Sequence, residues 1–376
     1  MSLFDCSVRD DLGPASHDAS HWSILNRSAR PYFASIRGVV EEWFSRYPAN
    51  AASHLSSRLR SRDNVLHTAA FFELYLHELL LRLGCIVAVE PPLSSGTRRR
   101  PDFLACTPDG GSFYLEAAVA HTDTPEKRAE QAILAKLYDG LNRLETTDYF
   151  LDVQMRGAPT ASVRVGDIRR RLSSLLAGLD FDMLRSDFEA GNIATAPTWP
   201  FEFRGGSLII RPLPRGPETK GRADARPIGI YPVKASWVDG QTYLRRSLSN
   251  KAGRYGDLGV PFIVAVDALA DRPDQEDIEV VLFRESDRNG RPIAKGLLSP
   301  IRHRQLSGVF VTAGLSSASF PYCTGQLWLN PWTKYRYPSI LEQLPRAELI
   351  DGSLAMHGGQ TLNALLGTSV EQLAER

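Results

Sequence analysis

The stretch from Asp102 to Ala120 constrains the fold of this chain more than any other part of the sequence. Residues 102–106 and 112–120 are β-rich, and Thr-Pro-Asp-Gly-Gly stands between them. Pro, Asp and Gly in this order are typical of a tight turn, so we predict an antiparallel hairpin. If Cys106 pairs with Ser112, counting four residues back along each strand places Asp102 opposite Glu116.

Two carboxylates in this position repel each other. Directly opposed side chains have Cβ atoms about 4.5 to 5.5 Å apart, where like charges are destabilising. The pair therefore needs a cation between the carboxylates or a raised pKa on one of them. Mg²⁺, which proteins hold with one or two carboxylates plus water and phosphate, meets this need. The alternative is a bulge or a one-residue slip that turns one carboxylate to solvent.

Helical and strand-like segments alternate along the rest of the chain. Residues 1–30 are expected to form an irregular lead. Helices are predicted at residues 31–47, from an N-cap at Asp63 to Gly84, and at 125–144, 165–179 and 243–255. Strands are predicted at residues 85–89, 149–155, 227–235, 261–266, 278–283, 308–312 and 326–329, and a turn-rich stretch at 178–226. This alternation favours an α/β protein.

The order of features around the hairpin is informative. Residues 63–120 contain four features in a fixed order. An apolar helix that carries a glutamate comes first, followed by a short strand, a Pro-Asp pair and a glutamate on the next strand. This order resembles the restriction-endonuclease-like, or PD-(D/E)XK, nuclease superfamily, whose helix–strand–strand–strand–helix–strand core binds Mg²⁺ for phosphodiester hydrolysis. The resemblance covers residues 63–155, and it extends to the strand near Pro261 if that strand joins the same sheet.

The resemblance implies a fold class and a domain organisation. We expect a restriction-endonuclease-like core, with a mixed central sheet flanked by helices, an N-terminal helical region and a C-terminal α/β elaboration. The expected segments are a lead and helix at 1–62, the core at 63–156, an insertion with a basic helix at 157–226, and an extension at 227–376 packed on the same sheet.

The resemblance also implies a set of metal ligands. Asp102, Glu116 and the backbone carbonyl of Ala117 match the ligands of Mg²⁺, for which Mn²⁺ is a substitute. Glu73 matches the helix glutamate that supports the metal, with Glu78 as its replacement. Alternatively, both helix glutamates are solvated positions at the rim of a buried helix.

The sequence departs from the superfamily pattern at its lysine. Position 118 is Ala, so the motif reads Glu-Ala-Ala where the superfamily has Glu-x-Lys. Either a cationic side chain from another helix or strand replaces this lysine, or the catalytic activity is lost. Only seven lysines are available: Lys127, Lys136, Lys220, Lys234, Lys251, Lys295 and Lys334. We prefer Lys251 to Lys136 as the catalytic lysine, because Arg246 and Arg254 add further positive charge near Lys251. The alternative is that each of these lysines is a solvated charge on a helix.

Arginine supplies 37 of the 44 cations, because only seven are lysine. Arg98, Arg99 and Arg100 directly precede Asp102, where guanidinium groups are suited to hold backbone phosphates. These three arginines are equally consistent with an exposed basic loop. Codon bias explains the high proportion of arginine in the chain as a whole. The formal net charge of +1 excludes a strongly basic nucleic-acid-coating protein. A nuclease therefore requires these arginines to be concentrated near Asp102 and Glu116.

These features predict a metal-dependent nuclease that acts on DNA in preference to RNA, in a restriction, repair or phage-defence context. The alternatives are a catalytically inactive nuclease-fold module that binds nucleic acid or scaffolds a partner, and an α/β protein whose hairpin carboxylates are structural. Four scattered cysteines and the lack of an 18-residue apolar run predict a cytoplasmic protein that does not span a membrane. A homodimer and a defence-system partner both stay open.

Overall fold

The chain forms two compact units. The computed structural model describes residues 2–93, 97–120, 125–157, 159–222, 225–228, 240–268, 273–286, 292–351, 353–369 and 372–373. Met1–Leu12, Ser20–Thr122 and Trp237–Arg376 form one unit, here called the large unit. Gly13–Ala19 and Asp123–Ser236 form the other, here called the small unit.

Helices and strands alternate along the described residues. The α-helices are α1 (His21–Arg27), α2 (Pro31–Arg46), α3 (Ala49–Leu59), α4 (Asn64–Arg82), α5 (Pro125–Leu141), α6 (Val165–Ala177), α7 (Phe181–Glu189), α8 (Gly240–Ala252), α9 (Gln275–Phe283) and α10 (Leu362–Leu366). The strands are β1 (Ile86–Val89), β2 (Phe103–Cys106), β3 (Ser112–Ala120), β4 (Tyr149–Gly157), β5 (Trp199–Phe203), β6 (Gly206–Pro214), β7 (Phe262–Ala268), β8 (Arg284–Ser286), β9 (Pro292–Lys295), β10 (Leu306–Ala313), β11 (Thr324–Leu329), β12 (Arg346–Ile350) and β13 (Ser353–His357).

A mixed sheet forms the centre of the large unit. Within the described residues it has eight strands in the order β1-β2-β3-β7-β10-β11-β12-β13. The first three strands are antiparallel to one another, whereas β7 is parallel to both β3 and β10. Side chains of α2, α3 and α4 pack on one face of the sheet, and side chains of α8 and α9 pack on the other. The predicted α/β class, with a mixed sheet flanked by helices, is confirmed.

Helix α4 begins and ends where the sequence predicts. The Asp63 side chain accepts hydrogen bonds from the backbone N–H groups of Val65 and Leu66, which satisfies two otherwise unpaired donors. After the helix, Gly84 has φ 88°, a left-handed conformation that costs glycine little. Almost every side chain from His67 to Leu80 is buried, as an apolar helix requires.

The small unit contains a second, three-stranded antiparallel sheet in the order β4-β6-β5. Side chains of α5, α6 and α7 pack against it in a separate apolar core. We had expected β4 in the main sheet, but it pairs with β6 over its full length, and β7 is the neighbour of β3. The reason lies in the side-chain pattern: β7 is buried at every position, as an interior strand requires, whereas β4 alternates between buried and more exposed residues.

Three further expectations differ from the structure. The segment 1–30 is not irregular throughout, because Leu3 and Phe4 are buried and α1 follows them. The apolar run 278–283 lies in α9, since Ile278, Val281 and Leu282 have helical spacing. The stretch 178–226 contains α7, β5 and β6. The strand predicted at 227–235 lies outside the described residues after residue 228.

Membrane-spanning segments were also sought. Within the residues that the structure describes, no helix has the length and apolar character needed to cross a bilayer.

Candidate active site

The hairpin has the predicted register. Cys106 pairs with Ser112 and Phe103 with Leu115, with no bulge or slip between them. Asp102, one residue before β2, donates its backbone N–H to Glu116 Oε2 at 3.3 Å. In return, the backbone N–H of Ala117 donates to Asp102 Oδ2 at 2.6 Å. The two carboxyl groups are therefore held next to each other by the backbone of the hairpin.

The proximity of the two acids changes the pKa of Asp102. Burial, and after it the negative charge of Glu116, raise the pKa of Asp102 from 3.8 to about 7. The hydrogen bond from Ala117 and the charge of Lys251 act in the opposite direction. Asp102 thus has a proton that a metal ion can displace near neutral pH.

Helix α8 places cations against Glu116. Lys251 Nζ lies 2.5 Å from Glu116 Oε1, and Arg254 Nη1 lies 3.4 Å from the same oxygen. The Lys251 side chain keeps 24% of its surface exposed, whereas that of Glu116 keeps 2%. Glu116 is therefore a buried carboxylate whose charge is met by cations that reach it from the solvent side.

The packing of α8 explains why the lysine comes from this helix. Ala118 shares a face of β3 with Glu116, because successive side chains alternate across a strand. Ala118 is buried in the same apolar cluster as Leu244, Leu248 and Ala252 of α8. A small residue at 118 thus lies under the helix, and the helix itself contributes Lys251 just before its end.

Tyr255 is a member of the site that the sequence interpretation missed. Its hydroxyl lies 2.7 Å from Glu116 Oε2 and 2.8 Å from the backbone oxygen of Arg100. A phenol has one hydrogen and can donate it to only one of these acceptors at a time. Burial and the hydrogen bond with Glu116 raise the pKa of Tyr255 well above its usual range, so the hydroxyl stays protonated. The sequence signal that could have identified Tyr255 was its spacing of four residues from Lys251.

The helix glutamates are ion-paired. Glu73 accepts from Tyr47 Oη and Arg58 Nη2, both at 2.5 Å. Its charge contributes to the raised pKa of Asp102, which places it in the electrostatic surroundings of that residue. Glu78 is fully buried and accepts from Arg46 at 2.6 and 3.0 Å and from Arg82 at 2.7 Å. Both are thus engaged by arginines.

The three arginines before Asp102 are exposed. Arg99 Nη1 donates to the backbone oxygen of Arg254 at 3.4 Å, and Arg100 Nη1 donates to that of Glu90 at 3.3 Å. Arg98 is exposed in the same segment. The guanidinium groups of Arg99 and Arg100 therefore contact the backbone near the site, and all three arginines remain accessible to solvent.

The remaining candidate residues are spread over the chain. Arg246 is exposed on α8, and Lys136 is exposed on α5 of the small unit. The lysine in contact with Glu116 is Lys251.

A cavity of about 310 Å³ opens in the large unit on the α3 and α4 side of this region. Its lining is polar for the most part and includes Glu73, His54, Glu90 and Arg100. Glu90 has φ 46°, an uncommon backbone conformation for a residue with a side chain, and it precedes Pro91. The cavity therefore adjoins a strained segment next to Asp102.

The donor set at Asp102 and Glu116 is suited to a hard cation that keeps much of its water. Within the described residues, no group of three or more His, Cys, Asp or Glu side chains is placed to hold a metal ion. Mg²⁺ needs fewer protein ligands, since one or two carboxylates with water and substrate phosphate suffice. Two adjacent carboxyl groups, one with a pKa raised by burial and by the charge of the other, fit that requirement.

Comparison of the chain with protein-family models, curated proteins and solved structures finds no match. Its function is therefore inferred from its own residues and geometry.

Proposed function

We propose that this protein is a metal-dependent nuclease that hydrolyses phosphodiester bonds in DNA and has a restriction-endonuclease-like core. The observation that carries the proposal is the contact of Lys251 Nζ with Glu116 Oε1, beside Asp102, at 2.5 Å. Two adjacent carboxyl groups can hold a hydrated metal ion for phosphodiester hydrolysis, and a lysine in contact with one of them can add positive charge at the phosphate.

The order of elements supports the same proposal. Helix α4 and strands β1, β2 and β3 come first, and α8 and β7 complete a helix–strand–strand–strand–helix–strand series. Strands β3 and β7 are adjacent and parallel. Most of the small unit is inserted in the sequence between β3 and α8, which accounts for the length of the chain between Glu116 and Lys251.

The proposal assigns a role to each side chain of the site. Asp102 and Glu116 would hold Mg²⁺, or Mn²⁺ in its place, with the carbonyl of Ala117 as a further ligand. The bound ion would supply Lewis-acid polarisation of the phosphate and a more acidic water. Asp102 would release its proton to solvent on binding the ion. Lys251 contributes positive charge at the reacting phosphate, and Tyr255 fixes the orientation of the Glu116 carboxylate.

One observation favours a second candidate, a nuclease-fold module that binds nucleic acid without cutting it. Lys251 and Arg254 both contact Glu116 Oε1. Two cations on one carboxylate are also what a site without a metal would use to stabilise a buried charge. The two candidates therefore differ in whether DNA is cleaved.

A cleavage assay separates them. Wild type and Asp102→Asn are incubated with plasmid, linear duplex and single-stranded DNA and with RNA, in Mg²⁺, Mn²⁺ or EDTA. We expect wild type to cut DNA in either metal, EDTA to stop it, and Asp102→Asn to lose about a hundredfold or more in rate. Salt-dependent binding without cleavage by wild type would instead support the binding module.

A further inference from the structure

We propose that a basic surface next to the end of α8 binds the backbone of the DNA substrate and positions it at Asp102 and Glu116; this inference rests on the proposed function. The basic surface consists of Arg99, Arg254, Arg302, Arg304, Lys334 and Arg336. All six residues belong to the large unit, and all are exposed. Four of them lie in two loops that the sequence interpretation did not connect with the site.

The first loop, residues 300–305, lies against the end of α8. Gln305 Nε2 donates to the backbone oxygen of Ala252 at 3.0 Å. His303 Cε1 lies 3.7 Å from the place that a Cβ on Gly253 would occupy. Ala252 and Gly253 stand between Lys251 and Arg254 in the chain, so this loop continues the surface on which those two cations lie.

The second loop, residues 331–337, is held against the first. Lys334 donates its backbone N–H to the carbonyl of Arg304 at 2.7 Å, and Arg304 Nε donates to the carbonyl of Trp332 at 3.2 Å. Lys334 Nζ also contacts Asp257 Oδ2 at 2.9 Å, two residues after Tyr255. Arg99 Nη1 contacts the backbone oxygen of Arg254. These contacts connect Arg99, Arg254 and the two loops, which carry the other four cations.

The charge of the basic surface is compensated only in part. Arg254 pairs with Glu116, Lys334 pairs with Asp257, and Arg336, whose side chain is 84% exposed, lies 4.0 Å from Glu342. Within the described part of the chain, neither Arg302 nor Arg304 takes part in an ion pair. In a protein with a net charge of only +1, such a concentration of exposed cations beside a carboxylate site is suited to bind an anion.

The geometry suits a phosphate backbone. Each strand of duplex DNA carries a phosphate about every 3.4 Å along its axis, so a row of cations meets several of them. Arginine forms paired hydrogen bonds to phosphate oxygens, and these contacts position the duplex without reading its sequence. A substrate on this surface reaches Lys251 and Arg254 at the point where they contact Glu116.

The test is a binding measurement in EDTA, which keeps cleavage out of the readout. The affinity of the full-length protein for a 30-base-pair duplex, a length chosen to be about three helical turns, is measured over a range of salt concentrations. The variant is Arg302→Gln/Arg304→Gln. The matched control is Arg30→Gln/Arg62→Gln, which removes two exposed arginines of the large unit that are not part of the basic surface. A melting curve that matches wild type shows that each variant is folded.

We expect the Arg302→Gln/Arg304→Gln variant to bind about tenfold to a hundredfold more weakly near 0.1 M salt. The slope of log K against log salt should fall by about 1.8, since each lost phosphate contact removes about 0.9. The control variant should keep the wild-type slope. An unchanged slope in the first variant, an equal loss in both, or a wild type that does not bind DNA would overturn the inference.

The two proposals fail in different ways. If wild type binds through this surface but cuts no nucleic acid, the surface stands and the nuclease proposal fails. If wild type cuts DNA and Arg302→Gln/Arg304→Gln binds as tightly as wild type, the surface fails while the nuclease proposal stands.

Discussion

Lys251 Nζ lies 2.5 Å from Glu116 Oε1, although 135 residues separate the two in the chain. The contact arises because α8 packs over the face of β3 that presents Glu116, with the buried Ala118 beneath it. Position 118, two residues after the glutamate, is Ala, and the lysine in contact with Glu116 comes from a different element.

The first prediction concerns stabilisation by Mg²⁺. If Asp102 and Glu116 hold the ion, 10 mM Mg²⁺ should raise the melting temperature of wild type, because a ligand bound only to the folded state stabilises it. At about ten times the dissociation constant the gain is about 1.4 kcal/mol. Asp102→Asn should show no such rise. Differential scanning calorimetry checks this, and an equal rise in both proteins would mean that the ion binds elsewhere.

The second prediction is the pH dependence of that binding. The pKa of Asp102 is raised to about 7, so below this pH the ion must displace a proton. The affinity for Mg²⁺ should therefore increase about tenfold per pH unit up to about pH 7 and then level off. Titration calorimetry in buffers of different ionisation enthalpy should detect about one proton released at pH 6. An affinity that does not change between pH 5.5 and 8 would contradict this role of Asp102.

The third prediction concerns Asp267, a buried acid on β7. Its Oδ1 accepts from Thr312 Oγ1 and the backbone N–H of Leu315, while Oδ2 has no hydrogen-bond partner among the residues that the structure describes. Burial raises the pKa of Asp267 from 3.8 to about 7. A raised pKa means that the folded state keeps its proton longer than the unfolded state, so stability falls as the pH rises through this range.

Asp267→Asn removes this titration and keeps an oxygen acceptor. The difference between 3.8 and about 7 corresponds to about 4 kcal/mol. The variant should therefore gain up to this amount relative to wild type between pH 4 and pH 7. Urea unfolding of both proteins at several pH values measures the gain, and parallel stability curves would refute it.

The fourth prediction tests whether Glu78 is a structural residue. Glu78 is fully buried, whereas Glu42, which also pairs with Arg46, keeps 37% of its side-chain surface exposed. Glu78→Gln should cost about 2 kcal/mol of unfolding free energy, because hydrogen bonds to charged groups contribute about 1.5 to 3 kcal/mol. Glu42→Gln should cost less than about 1 kcal/mol. Neither should alter DNA cleavage, and a loss of cleavage in Glu78→Gln alone would assign it a role in the site.

Local signals predicted the parts of the fold that depend on neighbouring residues. The N-cap at Asp63, the turn after Cys106 and the hairpin register each follow from a few adjacent side chains, and the structure confirms them. The pairing of Asp102 with Glu116 was accessible for the same reason. Lys251 was found by a different route, because few lysines competed for the role.

Long-range pairing was not predictable in the same way. The residues of β4 give no indication that it pairs with β6. Only the comparison with β7, which is buried at every position, indicates which strand lies beside β3. Tyr255 was missed because a hydroxyl acquires its role only when the end of α8 meets Glu116. The burial of Leu3 and Phe4 likewise depends on distant residues such as Glu41, which accepts from both backbone N–H groups.

The central claim is tested most directly by the DNA cleavage rate of Lys251→Met against that of Lys136→Met in Mn²⁺. Both substitutions remove one lysine charge, but only Lys251 contacts Glu116. We expect Lys251→Met to lose about a hundredfold or more, as does removal of a group that stabilises charge in the transition state, and Lys136→Met to cut at the wild-type rate. Equal rates in the two variants, or no cleavage by wild type, would contradict the account.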